Sequence, residues 1–402
     1  MLILGAGPAG LACGIAATRR GARVVVLEKN VQPGIKLCLS GSGQCNLTHA
    51  GTIDSFCDHY GGTQKSRFVK PALFAFPNSE TLRFFEQRCV PLVEREDGKI
   101  FPRSLQSGDI LRTLLAELES SGGVIRTDVD IHAVRRTVEG FCVETNQGEF
   151  ASNQLAIAAG GMSYPKTGST GDGYRWAEQM GHRIVPPRPA LTPVIVESYP
   201  FADAAGFAFD DVPIDVYRGG KKLRQARGDV LLTHRGLSGP GILDLSRFLE
   251  PQDMLRLPLF RKSSARAEGI RPPVSSTELF HGKKLLKNVL PSLGIPDRLC
   301  LLLMKTLGIS PDTSAAEIDR ITRQRLKEAL TEFPFVVERL GSFDVAMATS
   351  GGIALEEVNR QTMESRLVPG LFFCGEVLDI DGDTGGYNIQ FALSSGFLAG
   401  GG

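Results

Sequence analysis

Short apolar runs broken by glycine dominate both ends of this 402-residue chain, while proline-punctuated alternation fills its middle. Residues 1–4 are wholly apolar, 8–20 are small and alanine-rich, and 23–27 form a β-branched run. That order predicts strand, glycine turn, helix and strand, the strands being of the kind a parallel sheet buries on both faces. Gly21 stands where a helix C-terminus favours glycine. Helical periodicity returns over 80–88 and over 109–121, the latter with apolar residues at 110, 111, 114, 115 and 118. Alternation near 124–135 and 140–150 predicts a meander or hairpin, and 154–159 a second buried strand running into Gly160-Gly161. From about residue 185 the texture changes: Pro186, Pro187, Pro189 and Pro193 are followed by strand-like pieces at 194–197, 212–217, 229–233 and 254–259. Residues 275–335 are helical in pattern, 343–349 and 371–374 return to strands, and 387–398 reads as a closing helix.

This order predicts an α/β chain whose first domain is split in sequence. The expected boundaries are 1–187 and 339–402 for its two parts, 188–272 for an inserted β-rich module and 273–338 for an inserted helical module. No apolar run reaches the ~18 residues of a membrane span. Lys plus Arg number 45 against 44 for Asp plus Glu, so no overall field draws the chain to nucleic acid or anionic lipid. Eight cysteines are scattered without a CxxC pair or a secretory leader, which predicts a reduced, cytoplasmic setting.

The 46 glycines change the picture, because they cluster where a ligand would be approached. Gly5, Gly7 and Gly10 have GxGxxG spacing between a strand and a helix, with Pro8 and Ala9 opening the helix. The first glycine allows the tight turn, the second lets backbone reach a pyrophosphate, and the third lets helix pack on strand. Glu28 ends the next strand, where a carboxylate binds ribose hydroxyls and repels a 2′-phosphate. FAD or NAD therefore fits better than NADP. A loop from Pro33 to Asn46 follows, in which Ser40, Gly41, Gly43, Cys45 and Asn46 read as a cradle for phosphate, ribityl chain or flavin ring. Cys38 and Cys45 are spaced C-x6-C rather than the C-x4-C of disulfide reductases, and no second GxGxxG exists to hold NADPH. A dithiol relay is thus the weaker alternative to simple packing of Cys45. Near the end, Gly375 and Glu376 close a strand, and Asp383, Gly385, Gly386, Tyr387 and Asn388 lead into a helix. The N–H groups of residues 386–390, Ile389 and Gln390 included, would face the flavin edge where negative charge develops on reduction. Lys29, Lys36, Val129, Ala159 and Gly160 complete the expected cofactor contacts.

The segments GAGPAG (5–10), LEK (27–29), SGSGQCN (40–46), AAGGMSYPKTGSTGDGY (158–174), LLTHRGLSGP (231–240), TSGGIALEEVNRQTMES (349–365) and GLFFCGEVLDIDGDTGGYNIQ (370–390) run nearly end to end. Together they resemble the BaiN-like flavoprotein family, also called the ribosomal dihydrouridine synthase A-like family. Ser42 and Gln44 depart from it, standing where the family usually has Gly and Arg. The resemblance implies a Rossmann-type FAD-binding domain carrying an inserted β-barrel-like module and a small helical module. It also implies redox chemistry with NAD(P)H as a transient co-substrate.

Reducing a substrate through a flavin asks the protein for positioning and a proton donor. Tyr164 and Lys166 follow a strand end, where α/β folds place ligands, and His234 lies after a strand of the inserted module. Each has a plainer reading: a turn packed over the cofactor for the first two, a buried hydrogen-bonded histidine for the third. Arg67 and Lys70 with Phe68, Phe74 and Phe76 invite an RNA-stacking reading against a solvated face over core aromatics. Asp379, Asp381 and Asp383 fit loop turns better than a metal site. Three functions stay open: an NAD(P)H-driven reductase of a conjugated C=C or C=N bond, uracil in 23S ribosomal RNA included; an O2-using amine oxidase of a small amine; and a non-catalytic flavin-bound RNA or ribosome-associated factor.

Overall fold

The computed structural model describes residues 1–259 and 284–401. The boundary expected at 272/273 and the start of the helical stretch at 275 lie outside them. Two compact units form: Met1–Ala190 with Phe343–Gly402, and Leu191–Ser342.

The first unit is built on a five-stranded parallel sheet in the order Leu371–Phe373, Leu155–Ile157, Leu2–Leu4, Val25–Leu27, Val124–Arg126. Its three central strands are apolar and almost wholly buried, as strands covered on both faces are. Leu2 pairs with both Leu155 and Val25, so the three carboxyl ends that carry the glycine turn, Glu28 and Ala158–Gly160 stop level with one another. Leu371 pairs with Leu155, bringing Gly375 and Glu376 to the same edge.

Sequence and structure part company at three places. Residues 124–126 join the parallel sheet beside Val25–Leu27, and only Ile131–Thr137, Gly140–Thr145 and Gly148–Ser152 make the antiparallel meander. The strand expected over 343–349 begins later, at Ala348–Ile353, paired antiparallel with Ile184–Ala190. A helix at Thr63–Ala75 has no counterpart in the sequence reading because Pro71 lies inside it. Burial of Phe68, Val69, Ala72 and Leu73 holds it despite the missing donor, so packing overrides propensity.

The first helix, Pro8–Arg19, and the closing helix, Tyr387–Gly401, pack closely against each other. A Cβ at Gly396 would lie 2.3 Å from the Ala9 carbonyl oxygen, and one at Gly400 would lie 2.1 Å from that of Cys13. Ala12 and Ala16 face the same two glycines, so the helices touch backbone to backbone. The two ends of the sequence are thereby joined directly beneath the glycine turn.

In the second unit six strands close into a barrel: Val194–Val196, Gly236–Ser238, Lys221–Leu232, Ala208–Arg218, Met254–Leu257 and Phe333–Leu340. The helices Asp297–Leu307 and Arg320–Thr331 share its core through Leu299, Leu303, Leu326 and Leu330.

Gly396→Ala is expected to cost about 1–3 kcal/mol, since the clashing atom is main chain. Gly401→Ala, whose Cβ would meet nothing within 4 Å, should change stability by less than about 1 kcal/mol. Denaturant midpoints of the two variants check the difference.

Candidate active site

At the glycine turn, a Cβ on Gly10 would stand 1.9 Å from the Gly5 carbonyl oxygen, so only glycine closes this turn. Gly7 is different: its Cβ would meet nothing within 4 Å. Its backbone borders open space at the N-terminus of a helix begun by Pro8, with Ala9 buried in the first turn. That is a cradle for an anion. Glu28, 7% exposed, holds the turn by accepting from Ala6 N–H at 2.8 Å through one oxygen. Its other oxygen accepts from the Asn30 N–H and amide. A carboxylate has about four acceptor positions, so capacity for ribose hydroxyls remains. Val129 gives its N–H to the Glu28 carbonyl. Lys29 reaches Asp172 at 2.7 Å and Thr170 at 2.9 Å.

The loop after Glu28 carries unusual backbone. Gly41, Ser42 and Gly43 have φ of 56°, 56° and 87°, and Cys45 has 57°. Left-handed non-glycine residues in one short loop mark a site where surrounding structure holds strain. Ser40 hydrogen-bonds back to Leu37, and Cys45 N–H to Ser40. Cys45 is buried and its thiol is pushed up to about 12, because burial disfavours the thiolate. This supports packing over a dithiol relay. With the Asn46 amide oriented to satisfy both its ends, its oxygen accepts from Gly386 N–H and its NH2 group donates to the Thr48 carbonyl. Asn46 thus ties the first glycine loop to the last.

Glu376 sits in a polar knot that the sequence did not foretell. One oxygen accepts from Lys36 at 2.6 Å; the other accepts from Thr349 N–H at 2.7 Å and Ser163 Oγ at 3.0 Å. Lys36 also reaches Ser163. Ala159 and Gly160 lead from the central strand toward this knot, with Gly160 left-handed at φ 72°.

The closing loop is braced from within. Asn388 bonds Gly382 through both ends of its amide, at 2.8 and 2.9 Å. Gln390, expected among the cofactor contacts, is fully buried. Its N–H closes the first helical turn onto Gly386, and its amide is consumed by Thr48, Thr81, Phe76 and Ser394. Gly386 N–H is directed to Asn46, so both ends of the 386–390 row are engaged within the protein. A Cβ on Gly385 would press on the Tyr387 and His49 rings, and one on Gly386 on the Thr48 backbone. The Tyr387 ring stacks with two histidines, His59 at 4.0 Å and 15° and His49 at 5.2 Å and 17°. The Asp383 carboxylate meets His59 Nδ1 at 2.8 Å, and the Asp383 N–H donates to the His59 carbonyl. Neither histidine was singled out from the sequence, since they lie about 330 residues from Tyr387 in a stretch with no motif.

Of the proton-donor candidates, Tyr164 sits in a left-handed turn whose N–H donates to Phe343, and Lys166 is exposed beside it. His234 belongs to the second unit and is exposed in the tight turn between Thr233 and Gly236, which corrects its reading as a buried histidine. Phe68 and Phe76 are core residues, and exposed Phe74 lies under Lys70, itself paired with Asp54. The aromatics form no stacking platform. Asp379 and Asp381 grip Lys65 at 2.8 and 2.5 Å, and no metal-binding cluster occurs among the described residues.

The open cradle at Gly7, the buried carboxylate of Glu28 and the facing closing loop fit an adenine dinucleotide. The HI0933-like protein Rossmann domain matches residues 1–402. The chain belongs to that family. It is 31% identical to a 3-dehydro-bile acid delta(4,6)-reductase of Clostridium scindens, over 99% of this chain and 97% of the relative. It is 30% identical to a ribosomal RNA dihydrouridine synthase of Haemophilus influenzae, over 98% and 96%. The fold is like that of quinol fumarate reductase FrdA from E. coli, with a TM-score of 0.51 at 15% identity, covering 100% of this chain and 68% of that one. The protein is an FAD-dependent oxidoreductase, which sets aside the non-catalytic reading. No helix among the described residues is long and apolar enough to cross a membrane.

Two outcomes follow from the site. In a Lys36→Met and Glu376→Gln double-mutant cycle, the coupling should be about 0.5–3 kcal/mol by denaturant unfolding. Folded protein treated with iodoacetamide at neutral pH should be alkylated at exposed Cys89 and spared at Cys45, as peptide mass spectrometry reads.

Proposed function

We propose that this oxidoreductase takes a hydride from NAD(P)H onto FAD and delivers it to a C=C or C=N bond conjugated with a carbonyl. The observation that carries the reading is the pair of relatives at equal distance, whose names share a chemistry and not a substrate. A delta(4,6) 3-oxo system and a uracil ring both present a C=C conjugated to a carbonyl. Uracil of 23S ribosomal RNA and a small conjugated enone are therefore the substrate classes to compare. Only one dinucleotide motif is present, at Gly5–Gly10, so NAD(P)H is expected to visit and leave before substrate binds.

FAD held at this site supplies the hydride acceptor and donor. The chain's own residues do the holding. Gly7 backbone and the first helix turn take the pyrophosphate, Glu28 the ribose, and the Lys36–Glu376–Ser163 knot fixes a carboxylate where a ribityl hydroxyl can donate to it. The N-terminus of the closing helix favours negative charge on the adjoining cofactor edge. The strained 41–45 loop, tied to Gly386 by Asn46, walls the same space.

Anaerobic mixing of the flavin-loaded protein with NADH and with NADPH should bleach the oxidised-flavin band with at least one of them. A 4,6-dien-3-one steroid or a uridine-containing 23S ribosomal RNA fragment should then restore it. Absence of bleaching with both nucleotides overturns the reductase reading. Peroxide release with a small amine in air would instead make it an oxidase.

A further inference from the structure

We infer that His59, oriented by Asp383 and Tyr387, is the proton donor that completes substrate reduction. The assignment rests on the reductase reading above. Reduction of a C=C bond needs two hydrogens of different kinds. One carbon accepts the hydride and its neighbour accepts a proton; the π bond breaks, two C–H bonds form, and the donor regains its proton from water. The proton must come from a group that is held in place, exchanges with solvent and changes charge near neutral pH.

His59 meets these demands by geometry. Asp383 binds Nδ1 at 2.8 Å, so the deliverable proton is the one on Nε2. Tyr387, 4.0 Å away and nearly parallel, fixes the plane of the ring, and the Asp383 N–H bond to the His59 carbonyl fixes its backbone. The side chain is still 37% exposed, so solvent can recharge it. Asp383 and Tyr387 stand at the start of the closing helix, the end of the site to which the reading above assigns the reacting ring. The neighbouring titratable groups do not compete. Tyr60 is wholly buried, burial raises its phenol well above the usual range, and it donates to the Tyr387 carbonyl. Lys65 is held by Asp379 and Asp381. His49 has its Nδ1 at the Ala50 carbonyl and no carboxylate bonded to it among the described residues. Lys166 and Tyr164 likewise have no carboxylate bonded to them among the described residues.

The test separates the two half-reactions and adds a readout independent of turnover. In His59→Asn, which keeps an N–H toward Asp383, and in His59→Ala, reoxidation of the NAD(P)H-reduced protein by a 4,6-dien-3-one steroid or by the RNA fragment should slow roughly 100- to 10,000-fold relative to its reduction by NAD(P)H. Imidazole should restore part of the rate in His59→Ala. Without any turnover, side-chain nitrogen NMR should place the proton of neutral His59 on Nδ1, and Asp383→Asn should abolish that preference. Equal slowing of both half-reactions, an unchanged ratio, or a neutral ring protonated on Nε2 would overturn the assignment. Failure of NAD(P)H to reduce the wild-type flavin would overturn the reductase reading instead.

Discussion

The contact on which the site depends is the backbone-to-backbone approach of the first and closing helices. Gly396 and Gly400 let the closing helix come within van der Waals reach of the Ala9 and Cys13 carbonyls. Nothing larger fits between them. Because the first helix starts at the glycine turn and the closing helix starts at the Gly385–Gly386 loop, their packing fixes the distance between the two ends of one cofactor site. Asn46 adds a second tie between the first and last glycine loops.

Electrostatics then divides the acidic residues by task. Glu28 spends part of its acceptor capacity on Ala6 and Asn30, which holds the turn before any ligand arrives. Glu376 is neutralised by Lys36 and pinned by Thr349 and Ser163. Asp379 and Asp381 are bound to Lys65, and Asp383 to His59. Carboxylates that in sequence resemble a metal cluster are committed instead to Lys65, shared by two of them, and to the His59 imidazole. A low-dielectric site lined by unpaired acids would repel a dinucleotide, and this pairing removes the repulsion while keeping the acceptors oriented.

The motif-bearing turns were legible because their chemistry is local. A GxGxxG between strand and helix needs no distant partner to be read, and Glu28 follows from strand length alone. The helix over 63–75 was hidden by Pro71, whose cost is outweighed by the burial of Phe68, Val69, Ala72 and Leu73. The partners of Gln390 were hidden for the opposite reason. It lies in the right segment, but four partners from distant parts of the chain turn its amide inward.

By itself the sequence determined the apolar strands, the two glycine-rich loops and the cofactor class they imply, since each depends on residues only a few positions apart. Only the tertiary structure decided which polar side chains meet. Lys36 reaches Glu376 across 340 positions and His59 reaches Asp383 across 324, pairings that no local pattern records. They exist because level strand ends and two glycine-packed helices bring the beginning and the end of the chain to one edge of a sheet.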